Sequence, residues 1–375
     1  MRATGGHRQD ELRWLREVLW GPTPEVEVVV GREVPAGFRP LAEWVILPDR
    51  RRPRVLVPLA SRRAAAAAVR QYSDGMTQRA RLTKALVGLG LRSGGLQRLL
   101  RRRGSLLRVG AGGASVDAAG GTLLHDYLPE ALGRRDLAAA IVLGPVRLNR
   151  KPVLQLVDAR GEPVGYMKVG WNDLTRRLVR NEAAMLTRLA ELRPETFTAP
   201  RLLHHGQWHG LEVTVSAALP HRLWRHGRRH RLPPLAATGE IASLGGVEWA
   251  ALGDSAWWQG LQRRLGPIRE RATGPAAAVL TAVLEALGRE AAGSRLAFGT
   301  WHGDWGPWNI RATPDRLLVW DWERSADGVP VGLDLLHFGY LTGVQDLRRP
   351  PAEAATASLR RAAPLLDALG QEPGA

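Results

Sequence analysis

The sequence predicts an α+β protein of two lobes, a small antiparallel sheet with one long helix followed by a helix-rich body, with a separate basic α/β domain in front. Three observations carry that expectation. Short aliphatic runs bounded by turn residues recur as far as residue 219, a strongly periodic helix follows the middle group of them, and the apolar spacing beyond is mostly helical. With 375 residues and 45% apolar content, the chain can fill cores in two or three domains.

In the N-terminal part, "VEVVVG" (26–31), "EWVILP" (43–48) and "RVLVPLA" (54–60) read as strands. A helical stretch follows from about 61 to 91. The basic run "GLQRLLRRRGSLLRVGAGGAS" then ends in small residues, and 109–122 reads as a glycine-rich linker closing a domain over 1–122. From Leu123 the texture changes. "AIVLGP", "VLQLVD" and "VGYMKV" predict three strands, the last two joined by the turn "ARGEP". Next, "DLTRRLVRNEAAMLTRLAEL" (173–192) sets Leu174, Leu178, Met185, Leu186 and Leu189 at helical spacing, with Asp173 as candidate N-cap. "LEVTVSAAL" (211–219) is a further strand and closes a lobe over 123–220. The body over 221–375 is helical in pattern, as in "GPAAAVLTAVLEALGREA", apart from the short strand "RLLVWDW".

The net charge of +17 is regional: residues 50–108 carry 16 Arg or Lys against one acid, Asp74. That segment is a candidate contact for an anionic surface, whether lipid head groups, glycan or nucleic acid. Its single aromatic residue, Tyr72, argues against base stacking on single strands. The absence of cysteine excludes disulfides and thiolate metal sites. Acids and arginines interrupt the first twenty positions where a signal peptide would need an apolar run, and no uncharged apolar run of about 18 residues occurs, so a cytoplasmic protein without a transmembrane segment is expected. His204, His205, His209, His221, His226 and His230 lack metal-ligand spacing and read as exposed loop histidines.

Chemistry concentrates in "GTWHGDWGPWNIR" (299–311) and the strand that follows. Asp304 and Asn309 are five apart, and Asp321 ends the apolar run after them. A loop offering Asp and Asn beside a strand delivering another Asp can set three oxygen atoms around a hard cation such as Mg²⁺. The tryptophans Trp301, Trp305, Trp308, Trp320 and Trp322 read first as packing.

These residues resemble the aminoglycoside phosphotransferase and choline kinase-like family of the protein-kinase-like fold. Three linked pieces carry the resemblance: His302, Gly303, Asp304 and Asn309; then Asp321, Trp322 and Glu323; then Gly328, Pro330, Asp334 and Leu335. It extends over about 138–345. Upstream, Lys168 on the third strand of the small sheet and Glu182 fourteen residues on, in the long helix, match the strand lysine and helix glutamate of kinases. The resemblance implies an ATP-dependent phosphotransferase, with GTP as the other nucleotide, acting on a hydroxyl of a small molecule such as a sugar or amino alcohol. It implies that Asp304 takes the hydroxyl proton, Asn309 and Asp321 hold Mg²⁺, Lys168 meets the α/β-phosphates, and Glu182 fixes its rotamer. His302 and Asp334 would support the loop structurally, and backbone amides over 216–219 would meet adenine. The pattern departs in the first hairpin, which has Gly144 but no G-x-G-x-x-G; Asn149, Arg150 and Lys151 there read as a solvated turn. The competing reading is a non-catalytic nucleotide-binding scaffold working through its basic N-terminal domain.

Overall fold

The computed structural model describes residues 10–21, 26–31, 33–71, 78–112, 124–220, 233–271, 274–314 and 316–369. They form two compact units, the first from described residues within 1–187 and 200–222, the second from those within 188–199 and 223–375.

The first unit holds, in chain order, α1 (Asp10–Trp20), β1 (Val26–Val30), β2 (Phe38–Leu47), β3 (Val55–Pro58), α2 (Arg62–Gln71), α3 (Gln78–Ser93), α4 (Gly95–Arg103), β4 (Leu106–Gly112), α5 (Leu124–Leu132), β5 (Leu137–Val142), β6 (Val153–Asp158), β7 (Pro163–Gly170) and most of α6 (Asp173–Leu192). After β8 (Phe197–Thr198), which belongs to the second unit, β9 (Leu202–Trp208) and β10 (Leu211–Ala217) complete it. All its strands join one nine-stranded sheet in the order β1-β4-β2-β3-β5-β6-β7-β10-β9.

That order corrects the expected boundary at 122. β3 pairs antiparallel with β5, Val55 opposite Val142 and Leu56 opposite Ile141, so the N-terminal strands and the small sheet are continuous. The start of the presumed linker is also corrected, since residues 109–112 lie in β4, hydrogen-bonded between β1 and β2, while 113–122 lie outside the described residues. Its glycines are there for packing: a Cβ on Gly110 would stand 2.4 Å from Val34 Cγ1, and one on Gly112 3.0 Å from the Phe38 ring. Small residues in a strand marked close approach rather than a flexible joint.

Both faces of the sheet are covered. Leu56, Ile141, Leu154 and Met167 bury one side together with Leu15 and Leu19 of α1 and Leu128 of α5. Val57, Ala140 and Leu106 bury the other against Ala65, Ala66, Ala68 and Val69 of α2. The alternation along β3, with Leu56 to one face and Val57 to the other, explains its uninterrupted apolar sequence. The run of alanines lets α2 approach the sheet closely.

α6 follows the predicted bounds, but Asn172, not Asp173, caps it. Asn172 Oδ1 accepts from Thr175 N–H at 2.8 Å, and Thr175 Oγ1 accepts in return from Asn172 N–H at 3.0 Å. This is a reciprocal capping box. His204 and His205 lie on β9, with His205 Nε2 2.8 Å from Glu212 Oε1, which corrects their reading as loop residues. His221, His226 and His230 lie outside the described residues. The turn at 149–151 is tied down: the Arg150 guanidinium lies 4.4 Å over the Trp14 ring, and its Nη2 meets Glu11 at 3.3 Å.

The second unit contains α7 (Leu235–Ser243), β11 (Glu248–Ala251), α8 (Ala256–Arg271), α9 (Pro275–Glu290), β12 (Arg295–Trp301), β13 (Ile310–Ala312), β14 (Leu317–Val319), β15 (Ala326–Pro330), α10 (Leu333–Leu341) and α11 (Pro351–Ala368). Two three-stranded sheets, β11-β12-β15 and β13-β14-β8, sit among these helices. Residues 188–199 belong here because Arg188 meets Asp327 at 2.8 Å and the Leu244 carbonyl at 2.9 Å, while Glu240 accepts from the peptide N–H of Glu195 and Thr196. Among the described residues, no helix is long and apolar enough to cross a membrane.

The sheet continuity makes a sharp prediction. A fragment beginning at residue 123 exposes the β5 edge and loses the α1 and α2 cover, at roughly 1.5–3 kcal/mol for each large apolar side chain uncovered. Followed by circular dichroism in urea, it should show no cooperative loss of strand signal, whereas the full chain should. Cooperative unfolding of the fragment would restore a domain boundary at 122.

Candidate active site

In the second unit, β12 delivers the HGD motif. Phe298 and Gly299 pair with Pro330 and Val329 of β15, and the chain leaves the sheet at His302. The His302 peptide N–H donates to Asp334 Oδ2 at 2.7 Å and that of Gly303 to Oδ1 at 3.2 Å. One carboxylate in the first turn of α10 thus holds two successive peptide groups. Gly303 takes φ 78°, and a Cβ there would stand 2.3 Å from the Arg324 carbonyl oxygen, so only glycine fits. The His302 ring, fully buried, accepts at Nδ1 from the Asp304 N–H at 3.3 Å. Nε2 therefore carries the proton and donates to the Trp320 carbonyl at 3.1 Å.

Tryptophans enclose this histidine. The rings of Trp322 and Trp305 lie 4.6 and 5.4 Å from it, and Phe197 stacks on Trp322. Both tryptophans are 0% exposed, so they are packing residues.

Asp304 is only partly buried. Asn309 Nδ2 donates to both the carbonyl oxygen and Oδ2 of Asp304, each at 2.9 Å. With both amide hydrogens committed, Oδ1 is the atom Asn309 can offer a cation. The indole N–H of Trp308 also donates to the Asp304 carboxylate. Burial raises the Asp304 pKa and the Asp321 charge adds to the rise; Asn309, His337 and Trp308 pull the other way. A carboxylate whose charge a neighbouring carboxylate disfavours suits a site for a divalent cation.

Asp321 is placed by the hairpin that follows. Ile310 of β13 pairs with Val319 of β14, and the Trp320 N–H donates to the Asn309 carbonyl at 3.1 Å, so one hairpin end holds both Asn309 and Asp321. Asp321 adopts a left-handed backbone, φ 69° and ψ 53°, that turns the chain away from β14. A non-glycine residue held there costs about 1–3 kcal/mol. Asp321 and the buried Glu323 bring carboxylate oxygens within 4.8 Å of one another. The donor set of Asp321, Glu323 and Asn309 is oxygen throughout, which fits Mg²⁺ and not a soft metal.

In the first unit, Lys168 of β7 lies opposite Val153 of β6 and Thr214 of β10. Its Nζ reaches Glu182 Oε1 at 2.8 Å and Oε2 at 2.7 Å, with side chains 13% and 3% exposed. Thr214 Oγ1 donates to the Val179 carbonyl at 3.0 Å, binding α6 to the sheet beneath the pair. Desolvating both charges offsets most of their attraction, so the pair is better explained by a task for the ammonium than by stability. In the segment 216–219, the Ala217 and Ala218 amides donate to Arg201 and Val164 carbonyls at 2.8 and 2.9 Å. Those two amides are spent on protein carbonyls.

Two groups acting on Asp304 escaped the sequence reading. Trp308 read first as packing. His337 stands three residues after Asp334, on the same side of α10, and its Nδ1 donates to the Trp305 carbonyl at 3.2 Å. The i, i+3 spacing from a motif aspartate was the available signal.

No family model and no curated protein sequence matches the chain. Solved structures similar to it include a putative fructosamine-3-kinase from Haemophilus somnus 129PT (13% identity, 64% of this chain and 85% of that one, TM-score 0.36). Others are a glucosamine kinase (16%, 66% and 72%, TM-score 0.33) and a thermostable mutant of the aminoglycoside phosphotransferase APH(4)-Ia in complex with ADP and hygromycin B (14%, 66% and 90%, TM-score 0.42). Scores of this size do not by themselves assign an activity.

Asp334 provides a test of the loop. Burial pushes its carboxyl up to about 7, against the two peptide donors, and the nearby Asp304 charge adds to the rise. The folded chain then binds this proton more tightly than the unfolded one, so the group's contribution to stability is complete below the ordinary value of 3.8 and is lost as pH rises through about 7. Asp334→Asn removes the titration and sets an amide N–H₂ against a peptide donor, which costs about 1–3 kcal/mol. In urea unfolding, the stability gap between wild type and variant should narrow from mildly acid to neutral pH. A gap that widens instead would mean that the peptide donors outweigh burial.

Proposed function

We propose that the protein is an ATP- and Mg²⁺-dependent phosphotransferase of the protein-kinase-like fold that moves the γ-phosphoryl group to a hydroxyl of a small molecule, of the sugar or amino alcohol class. What chiefly supports the reading is the arrangement around Asp304: a partly exposed carboxylate held by Asn309 and Trp308 on a glycine turn, with Asp321 at the end of the next strand. The Lys168–Glu182 pair supports it independently, as a partly buried ammonium held by both oxygens of a buried carboxylate.

Asp304 orients the acceptor hydroxyl and takes its proton as the oxygen bonds to the γ-phosphorus; the bond from that phosphorus to the β–γ bridging oxygen breaks, ADP leaves, and the proton passes to solvent. Asn309 Oδ1 and the Asp321 carboxylate would hold Mg²⁺, with Glu323 beside them. A bound Mg²⁺ neutralises the charge that develops on the phosphate oxygens. Lys168 supplies a cation to the α/β-phosphates, and Glu182 holds its amine in one rotamer. The second unit from 223 on is close to balanced in charge, which favours a neutral or singly charged acceptor over a polycationic one.

A screen of hydroxyl acceptors with γ-labelled ATP tests this directly. Wild type should transfer label only with Mg²⁺, and Asp304→Ala should lower kcat by roughly 10²–10⁴-fold. Asp321→Ala should abolish the metal dependence along with turnover. A wild type that binds ATP but neither transfers nor hydrolyses it across the panel would favour the scaffold reading. Trp308→Phe removes a donor that steadies the Asp304 anion, so the acid limb of kcat/KM should move to higher pH with the alkaline limb unchanged; an unmoved acid limb would remove Asp304 as the titrating base.

A further inference from the structure

Helix α3 turns an apolar side outward. Leu82, Leu86 and Leu89 are 68%, 63% and 66% exposed, and their spacing of four and three places them on one face. The opposite face is committed to the protein: Leu91 is fully buried, and Val87 packs with it against the α2 side of the sheet. α4 folds back onto α3, with Leu96 against Gly90, and adds Leu99 at 49% exposure. The same two helices carry the exposed arginines Arg92, Arg98, Arg102 and Arg103, none of which makes an ion pair with a described residue. Arg101 and Arg108, by contrast, are both taken by Glu43.

Leucines facing solvent in this pattern need a partner that is apolar, and the exposed arginines on the same two helices need one that is anionic. A second copy of this chain meets the first demand and fails the second, since it would set arginines against arginines with one acid, Asp74, in residues 50–108. Nucleic acid meets the second and leaves the leucines against phosphate and water. The surface of an anionic bilayer meets both, taking leucines into the boundary of the acyl chains and arginines at the phosphates. We infer that α3 and α4 form a docking face for an anionic phospholipid bilayer, on which the protein lies without spanning it. The inference rests on these helices alone and stands apart from the phosphotransfer reading.

The full chain is sedimented with vesicles of phosphatidylcholine alone and of phosphatidylcholine containing phosphatidylserine. Wild type should pellet with the anionic vesicles and stay in solution with the neutral ones. A Leu82→Gln, Leu86→Gln, Leu89→Gln variant keeps helix propensity and every charge, so its circular dichroism should match wild type while its partition falls about tenfold or more. An Arg92→Gln, Arg98→Gln, Arg102→Gln, Arg103→Gln variant should lose anionic selectivity by a similar factor. Absence of wild-type binding to the anionic vesicles overturns the inference. So does equal binding by the leucine variant, as does salt-dependent retention on duplex DNA with no vesicle binding. A wild-type dimer that the leucine changes convert to monomer in light scattering would assign the face to self-association instead.

Discussion

The second unit depends on one buried carboxylate. Asp334, at the start of α10, accepts from the peptide groups of His302 and Gly303, and that pair of hydrogen bonds sets where the chain leaves β12. Burying a charge is costly, and two peptide donors offset part of that cost. The rest of the loop follows. Gly303 must be left-handed to clear the Arg324 carbonyl, the His302 ring then bridges the Asp304 amide and the Trp320 carbonyl, and Asn309 closes back on Asp304. Each step depends on the one before, so Asp304 inherits its position from a carboxylate thirty residues later in the chain.

The aromatic residues that crowd the motif serve this chain of constraints. Trp305 and Trp322 shut water away from His302, which strengthens its two ring hydrogen bonds. Trp308 has a different part: its N–H steadies the Asp304 anion against burial and against Asp321. Trp305, Trp322 and Trp308 thus divide between packing and electrostatics. Their division depends on which indole nitrogen reaches a carboxylate.

The first unit shows how an added segment can become inseparable from what it adjoins. β3 supplies hydrogen bonds to β5, α1 and α2 cover opposite faces, and Arg150 lies between Trp14 and Glu11. Residues that read as a preface therefore complete the sheet that carries Lys168. The outward leucines of α3 lie on the same segment, so its structural and surface roles fall on different faces of its helices.

Much of this was legible without coordinates wherever the signal is local. The α6 helix follows its periodicity, the strands 26–30, 153–158 and 163–170 follow their aliphatic runs, and the spacing of His302, Asp304, Asn309 and Asp321 marked the oxygen-rich loop. Lys168 and Glu182 also met as expected, because a strand followed directly by a helix packs back on itself. Tertiary structure decided the rest. The glycines of 110–112 read as a joint because their neighbours Val34 and Phe38 are distant in sequence, and only the sheet order shows that they lie in a strand. The pairing of β3 with β5, the capture of two peptide groups by Asp334, and the exposure of Leu82, Leu86 and Leu89 are likewise relations between residues far apart or facing solvent. Local sequence sets backbone preference and the kind of chemistry available; partners, burial and proximity arise only when distant segments share the same space.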